Sequence, residues 1–144
     1  EKGGESAFPL LEDDISFGRI GPMAALHRAI VRHPEAAWLV TACDQPFLTE
    51  ETFLQLTRHR NTAYDIICFR SADPIIIHPF PAVYEPAIGG MVDDALKASS
   101  YSVSEIIRNV NTLYIPPAEP VWLKSIDDSK ESEILLGQLR KNSH

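Results

Sequence analysis

The chain of 144 residues is 44% hydrophobic and 23% charged, a balance that suits one globular domain with a full core. Its formal net charge is −7, and its 13 basic residues are scattered; this argues against nucleic acid as the main partner, which wants clustered Lys and Arg. No stretch approaches the ~20 apolar residues of a membrane span, no signal peptide is visible, and Cys43 and Cys68, which lack any metal spacing, read as reduced, buried thiols of a cytoplasmic protein.

Residues 1–21 read mostly as loop, with a short strand at 8–11. The opening "EKGGESAFPL" resembles the interior of a longer sequence. "GPMAALHRAIVRHP" follows, where Met23, Leu26, Ala29 and Ile30 recur at helical spacing, Pro22 occupies the first turn and Pro34 closes the helix. "AAWLVTAC" is a continuous apolar run of the kind buried on both faces of a parallel sheet. A helix over "LTEETFLQLTRHR" starts from Thr49 with a near match to a capping box, and "YDIICF" is a second buried strand. "SADPIIIHPFPAVYEP" carries four prolines and is expected to be extended and irregular, with a strand at about 81–85. "AIGGMVDDALKAS" and "SVSEIIRNV" read as short helices, and "TLYIP" and "PVWLKSI" as short strands. "SKESEILLGQLRKN" reads as a closing amphipathic helix with Ile134, Leu135, Leu136 and Leu139 on its apolar side. Helices alternating with buried strands define an α/β class with a mainly parallel sheet in a single domain over 1–144.

In such sheets ligands sit outside the carboxyl ends of the strands, where Asp44 falls. A partly desolvated carboxylate there is costly alone and useful beneath a cation such as Mg²⁺, which takes one or two carboxylates and leaves its other positions to water and phosphate. The alternative is a cap or turn former before Pro46. Asp127 and Asp128 again follow an apolar run and precede a helix, so they either ligate or cap. Gly18 and Gly21 lead into a helix N-terminus where main-chain N–H groups can face a phosphate, although Gly-Pro there is also ordinary punctuation. No His/Cys cluster suggests zinc; His27, His33 and His59 lie on or near helices, and His78 lies among prolines at a possible cleft.

In order, "LLEDDISFGRIGPMAALHRAI", "WLVTACDQPFLTEETFLQL", "HPFPAVYEPAI" and "VWLKSIDDSKESE" resemble the nucleotidyltransferases related to molybdenum cofactor guanylyltransferase, over residues of about 9 to 140. The resemblance implies a three-layer Rossmann-like nucleotidyltransferase fold. It implies that Asp44 is the catalytic, Mg²⁺-binding acid and that Asp127 is a second metal ligand. It implies nucleotide binding by Asp14, Gly21, Pro22 and Asp44, and a pterin-side segment at His78 and Pro79. Ala25 stands where the family's GPLAG loop ends in Gly, and Ser125-Ile126-Asp127-Asp128-Ser129 replaces the family's Asn-containing late turn. Residues 1–21 hold no Gly-rich loop followed by Lys, so the chain is expected to be N-terminally truncated, covering the C-terminal two-thirds of the family fold. An edge exposed by missing strands would favour a homodimer or a fused or partner biosynthetic protein.

The implied activity is transfer of GMP from GTP to a molybdopterin-type acceptor with Mg²⁺ as cofactor. The alternatives are a cytidylyltransferase using CTP, a sugar-phosphate nucleotidyltransferase, or a non-catalytic transferase-like binding domain.

Overall fold

Gly21 opens the first described helix with φ 62° and ψ −141°, a backbone region essentially reserved for glycine. Pro22 then takes the first helical position, where its missing N–H costs nothing. Helix α1 (Pro22–Arg32) buries Met23, Ala24, Leu26, Ala29 and Ile30, and its last turn is closed by the His33 N–H donating to the Ala29 carbonyl. The computed structural model describes residues 21–126 together with 133, 134, 137, 140 and 141. The strand expected at 8–11 and the site residues Asp14, Asp127 and Asp128 lie outside the described residues.

After α1 come β1 (Trp38–Val40), α2 (Glu50–Arg58), β2 (Ile66–Arg70), β3 (Ile77–Tyr84), α3 (Gly89–Lys97), α4 (Val103–Asn109) and β4 (Thr112–Ile115), with 3₁₀ turns at Pro86–Ile88 and Pro120–Leu123. The four strands form one sheet in the order β1-β3-β2-β4. β2 and β4 pair in parallel, whereas β3 is antiparallel to both β1 and β2. Three strands therefore share one direction, as expected, and β3 is inverted among them.

Strand alternation sorts the side chains into two cores. Trp38, Val40, Tyr84, Ala82, Ile66 and Cys68 lie on one face, against Leu26 of α1, Val92 of α3 and Ile107 of α4. Ile67, Phe69, Val83 and Ile115 face the other way, against Leu56 of α2 and Trp122. Helices thus cover both faces, the three-layer α/β arrangement anticipated from the sequence. The α2 start is fixed by a reciprocal cap: the Thr49 N–H donates to Thr52 Oγ1 at 3.0 Å, and the Thr52 N–H donates to the Thr49 carbonyl at 3.1 Å.

Four expectations need correction. The "AAWLVTAC" strand shortens to Trp38–Val40, and Leu39 is 40% exposed, because β1 terminates the described sheet and pairs on one side only. The chain leaves the sheet after Val40, so Cys43 is exposed; Cys68, on β2, is buried as expected, and burial pushes its thiol up to about 12. The strand in the proline-rich stretch starts earlier, at Ile77. Four residues, His78 to Pro81, stand opposite the single Phe69, so the prolines occupy a bulge in which no ladder N–H is required. "PVWLKSI" is no strand: Pro120–Leu123 coils into a 3₁₀ turn that buries Trp122 beside Phe69, ring centroids 5.9 Å apart. In the closing stretch the described residues 133, 134, 137, 140 and 141 have helical backbone, as expected.

Candidate active site

Because β1, β2 and β4 run together, their carboxyl ends, and the beginning of the inverted β3, meet at one end of the sheet. Asp44 lies there, four residues past β1, as expected. It is exposed rather than partly desolvated, because residues 41–46 form turns above the sheet edge instead of prolonging the strand. The α1 N-terminus belongs to the same end. His33, at the C-terminus of α1, contacts Trp38 at the start of β1 (5.9 Å between ring centroids), so the ~16 Å of helix run back towards the Asp44 end. Gly21, Pro22 and Asp44 thus lie towards the same end of the sheet, and a Cβ on Gly21 would meet nothing within 4 Å.

Two hydrogen bonds hold the Asp44 turn. The Ile126 N–H donates to the Asp44 carbonyl at 2.8 Å, which brings the residue just before Asp127 against Asp44. Gln45 Nε2 donates to the Phe80 carbonyl at 2.8 Å, while its Oε1 accepts from the Ala42 N–H at 3.3 Å. The turn is therefore tied to the β3 bulge on one side and to the segment after the 3₁₀ turn on the other.

Between those two anchors opens a cleft of about 690 Å³, within the size range of small-ligand sites. Arg70 at the end of β2, His78 in the β3 bulge and Lys124 line it, and among the described residues no acidic side chain does. Pro74, Pro116 and Pro117 supply rigid apolar walls. Partial burial lowers the pKa of His78, because desolvation penalises the imidazolium. Pro79 is held in the bulge through its carbonyl, which accepts a hydrogen bond from the buried Tyr84 hydroxyl.

The donor chemistry fits Mg²⁺, which needs only one or two protein carboxylates beside water and phosphate. Among the described residues the Asp44 carboxylate has no competing hydrogen bond or ion pair, and no group of three His, Cys, Asp or Glu side chains could hold a metal by itself. Asp44 would be the one described ligand.

Arg70 and Lys124 in the cleft and Gln45 in the Asp44 turn are not among the residues that the sequence pattern singles out. A signal existed for Arg70, which ends a buried apolar run just as the Asp44 turn follows one. None existed for Gln45, whose partner Phe80 is 35 residues away.

An open α/β sheet takes its ligands outside the carboxyl ends of its strands, and an acid, a helix N-terminus and a basic cleft lie at that end here. The model of the MobA-like NTP transferase domain matches residues 4–112, and the chain belongs to that family of nucleotidyltransferases. A Bacillus licheniformis protein named "Probable molybdenum cofactor guanylyltransferase" is 27% identical over 138 residues, covering 91% of this chain and 66% of its own length. A Bacillus subtilis protein of the same name is 22% identical, covering 81% of this chain and 61% of its own length. The chain thus spans just under two-thirds of these relatives. The crystal structure of molybdopterin-guanine dinucleotide biosynthesis protein A from Archaeoglobus fulgidus shares the fold, with a TM-score of 0.68 and 19% identity over 82% of this chain and 64% of that one. A protein of Aquifex aeolicus does so with a TM-score of 0.59 and 17% identity over 75% and 57%. No helix among the described residues is long and apolar enough to cross a membrane.

Proposed function

We propose that this chain carries the metal and acceptor side of a nucleotidyltransferase that moves GMP from GTP to a molybdopterin-type acceptor. An acceptor phosphate oxygen bonds to the α-phosphorus, the bond from that phosphorus to the bridging oxygen breaks, and pyrophosphate leaves. The supporting observation is the hydrogen bond from the Ile126 N–H to the Asp44 carbonyl, which ties the Asp44 turn to a point two residues from Lys124, in the wall of a cleft whose charged side chains among the described residues are basic although the chain is acidic.

Asp44, with Asp127 as second ligand, would hold Mg²⁺, which when bound neutralises phosphate charge. Gly21 and Pro22, with Asp14, would face the nucleotide. Arg70 and Lys124 would draw the acceptor's phosphate, and the proline walls beside His78 and Pro79 would receive its flat heterocycle. Positioning and charge neutralisation carry such transfers, and no covalent nucleophile is required.

The test is a melting-temperature comparison with Mg²⁺ alone, Mg²⁺ plus GTP and Mg²⁺ plus CTP. A rise with GTP that Asp44→Ala abolishes is expected. A larger rise with CTP would favour cytidylyl transfer. No shift with either nucleotide, with Asp44→Ala melting as the wild type does, would overturn the nucleotide site.

A further inference from the structure

Gln45 occupies a place that the sheet register makes unusual. β1 and β3 pair Trp38 with Tyr84 and Val40 with Ala82. Two steps further along the same register, Ala42 would stand opposite Phe80. The strands do not pair there. Instead the Gln45 carboxamide is bonded to both residues, accepting from the Ala42 N–H at 3.3 Å and donating to the Phe80 carbonyl at 2.8 Å. The side chain thus replaces a rung of the ladder and satisfies the main-chain groups left by its absence. It is half-buried, so these bonds are partly sheltered from water.

We infer that Gln45 is a positioning residue: its carboxamide wedges apart the ends of β1 and β3 and so sets the separation between Asp44 and the His78 wall of the cleft. The inference rests on the metal-binding reading of Asp44. Asp44 is the neighbouring residue and is held from the other side by the Ile126 N–H at 2.8 Å. Phe80 lies two residues from His78 within one bulge, and the Tyr84 hydroxyl bonds to the Pro79 carbonyl between them. Any change in the length or polarity of the wedge must therefore be taken up between the acid and the cleft. Active-site groups must be held to within ~0.5 Å, so the wedge is a determinant of geometry and not only of stability.

The experiment uses Mn²⁺ as the metal probe on the full chain, alone and with GTP, and reads paramagnetic broadening of the His78 ring protons. Gln45→Met keeps the length and removes both hydrogen bonds. Gln45→Glu keeps the shape and can accept from Ala42 but, when ionised, cannot donate to Phe80. Both variants are expected to remain folded by melting curve and to bind Mn²⁺ as the wild type does. Their His78 broadening should change by roughly twofold, the inverse-sixth-power effect of a ~1 Å misplacement. If Gln45→Met does not fold, Gln45→Glu answers the same question. Mn²⁺ binding with unchanged His78 broadening in the folded variants overturns the positioning role alone. Absence of Mn²⁺ binding in the wild type overturns the metal reading and the positioning role with it.

Discussion

The Arg60 guanidinium forks onto the Glu85 carboxylate, Nε donating to Oε1 at 2.6 Å and Nη2 to Oε2 at 3.0 Å, across the end of the sheet opposite to Asp44. The two partners differ in environment: the Glu85 side chain is 5% exposed and that of Arg60 49%. Each raises the cost of losing the other unequally. Arg60→Ala leaves a carboxylate nearly buried without its cation, whereas Glu85→Gln leaves a half-exposed guanidinium that water can serve. Arg60→Ala should therefore lower the melting temperature more than Glu85→Gln. An equal or reversed order in thermal unfolding would contradict this account.

Gly21 offers a prediction about backbone alone. Nothing lies within 4 Å of an added Cβ, yet its φ of 62° with ψ −141° is a conformation other residues avoid. Gly21→Ala should cost about 1–3 kcal/mol by denaturant unfolding, with no steric contribution, unless the helix start shifts to escape the strain. Should Gly21 also face the nucleotide, the variant would weaken GTP binding beyond what its stability loss explains, which titration at a temperature well below melting would separate.

His78 gives a pH dependence whose sign follows from its burial. Its folded pKa lies below the ordinary value, so the folded chain binds fewer protons than the unfolded chain in the window between the two. Stability from this group is fully present above about pH 6.5, the unfolded value, and is lost as pH falls through the lower folded value. His27 and His33 sit beside Asp93 and Glu35, so the comparison must be made against a variant that changes His78 alone. His78→Gln should lose less stability than the wild type between pH 7 and acid, measured by urea unfolding at each pH. Parallel pH curves for the two proteins would rule the effect out.

What the sequence revealed, and what it hid, divides by the range of the interactions. Gly21-Pro22, the apolar spacing of α1 and the run ending near Asp44 are local signals, and they placed a helix start and an acid at the carboxyl end of an α/β sheet. The extent of β3 was concealed because Pro79 and Pro81 argue locally against a central strand, and only pairing with Phe69 across a bulge shows how they are tolerated. Trp122 gave an apolar signal equally compatible with strand and turn, and contact with Phe69 decided it. The Gln45–Phe80 and Arg60–Glu85 bonds join residues 35 and 25 apart, with no pattern in the intervening chain to announce them.

The inversion of β3 has a consequence for how such a site can diversify. In a sheet whose strands all run one way, each connection at the ligand end leads into a helix, so reshaping the rim disturbs the layer behind it. Here the passage from β2 to β3 is a hairpin at that end, residues 71–76, closed on itself by the Asp73 carboxylate accepting from the Ile75 N–H at 2.9 Å. Ala72 and Pro74 of this hairpin face the cleft, while Ile75 is 79% exposed. The hairpin is an adjustable brim: its length and chemistry can be exchanged without moving a helix, leaving the choice of cleft ligand open to change while the frame that carries Asp44 stays fixed.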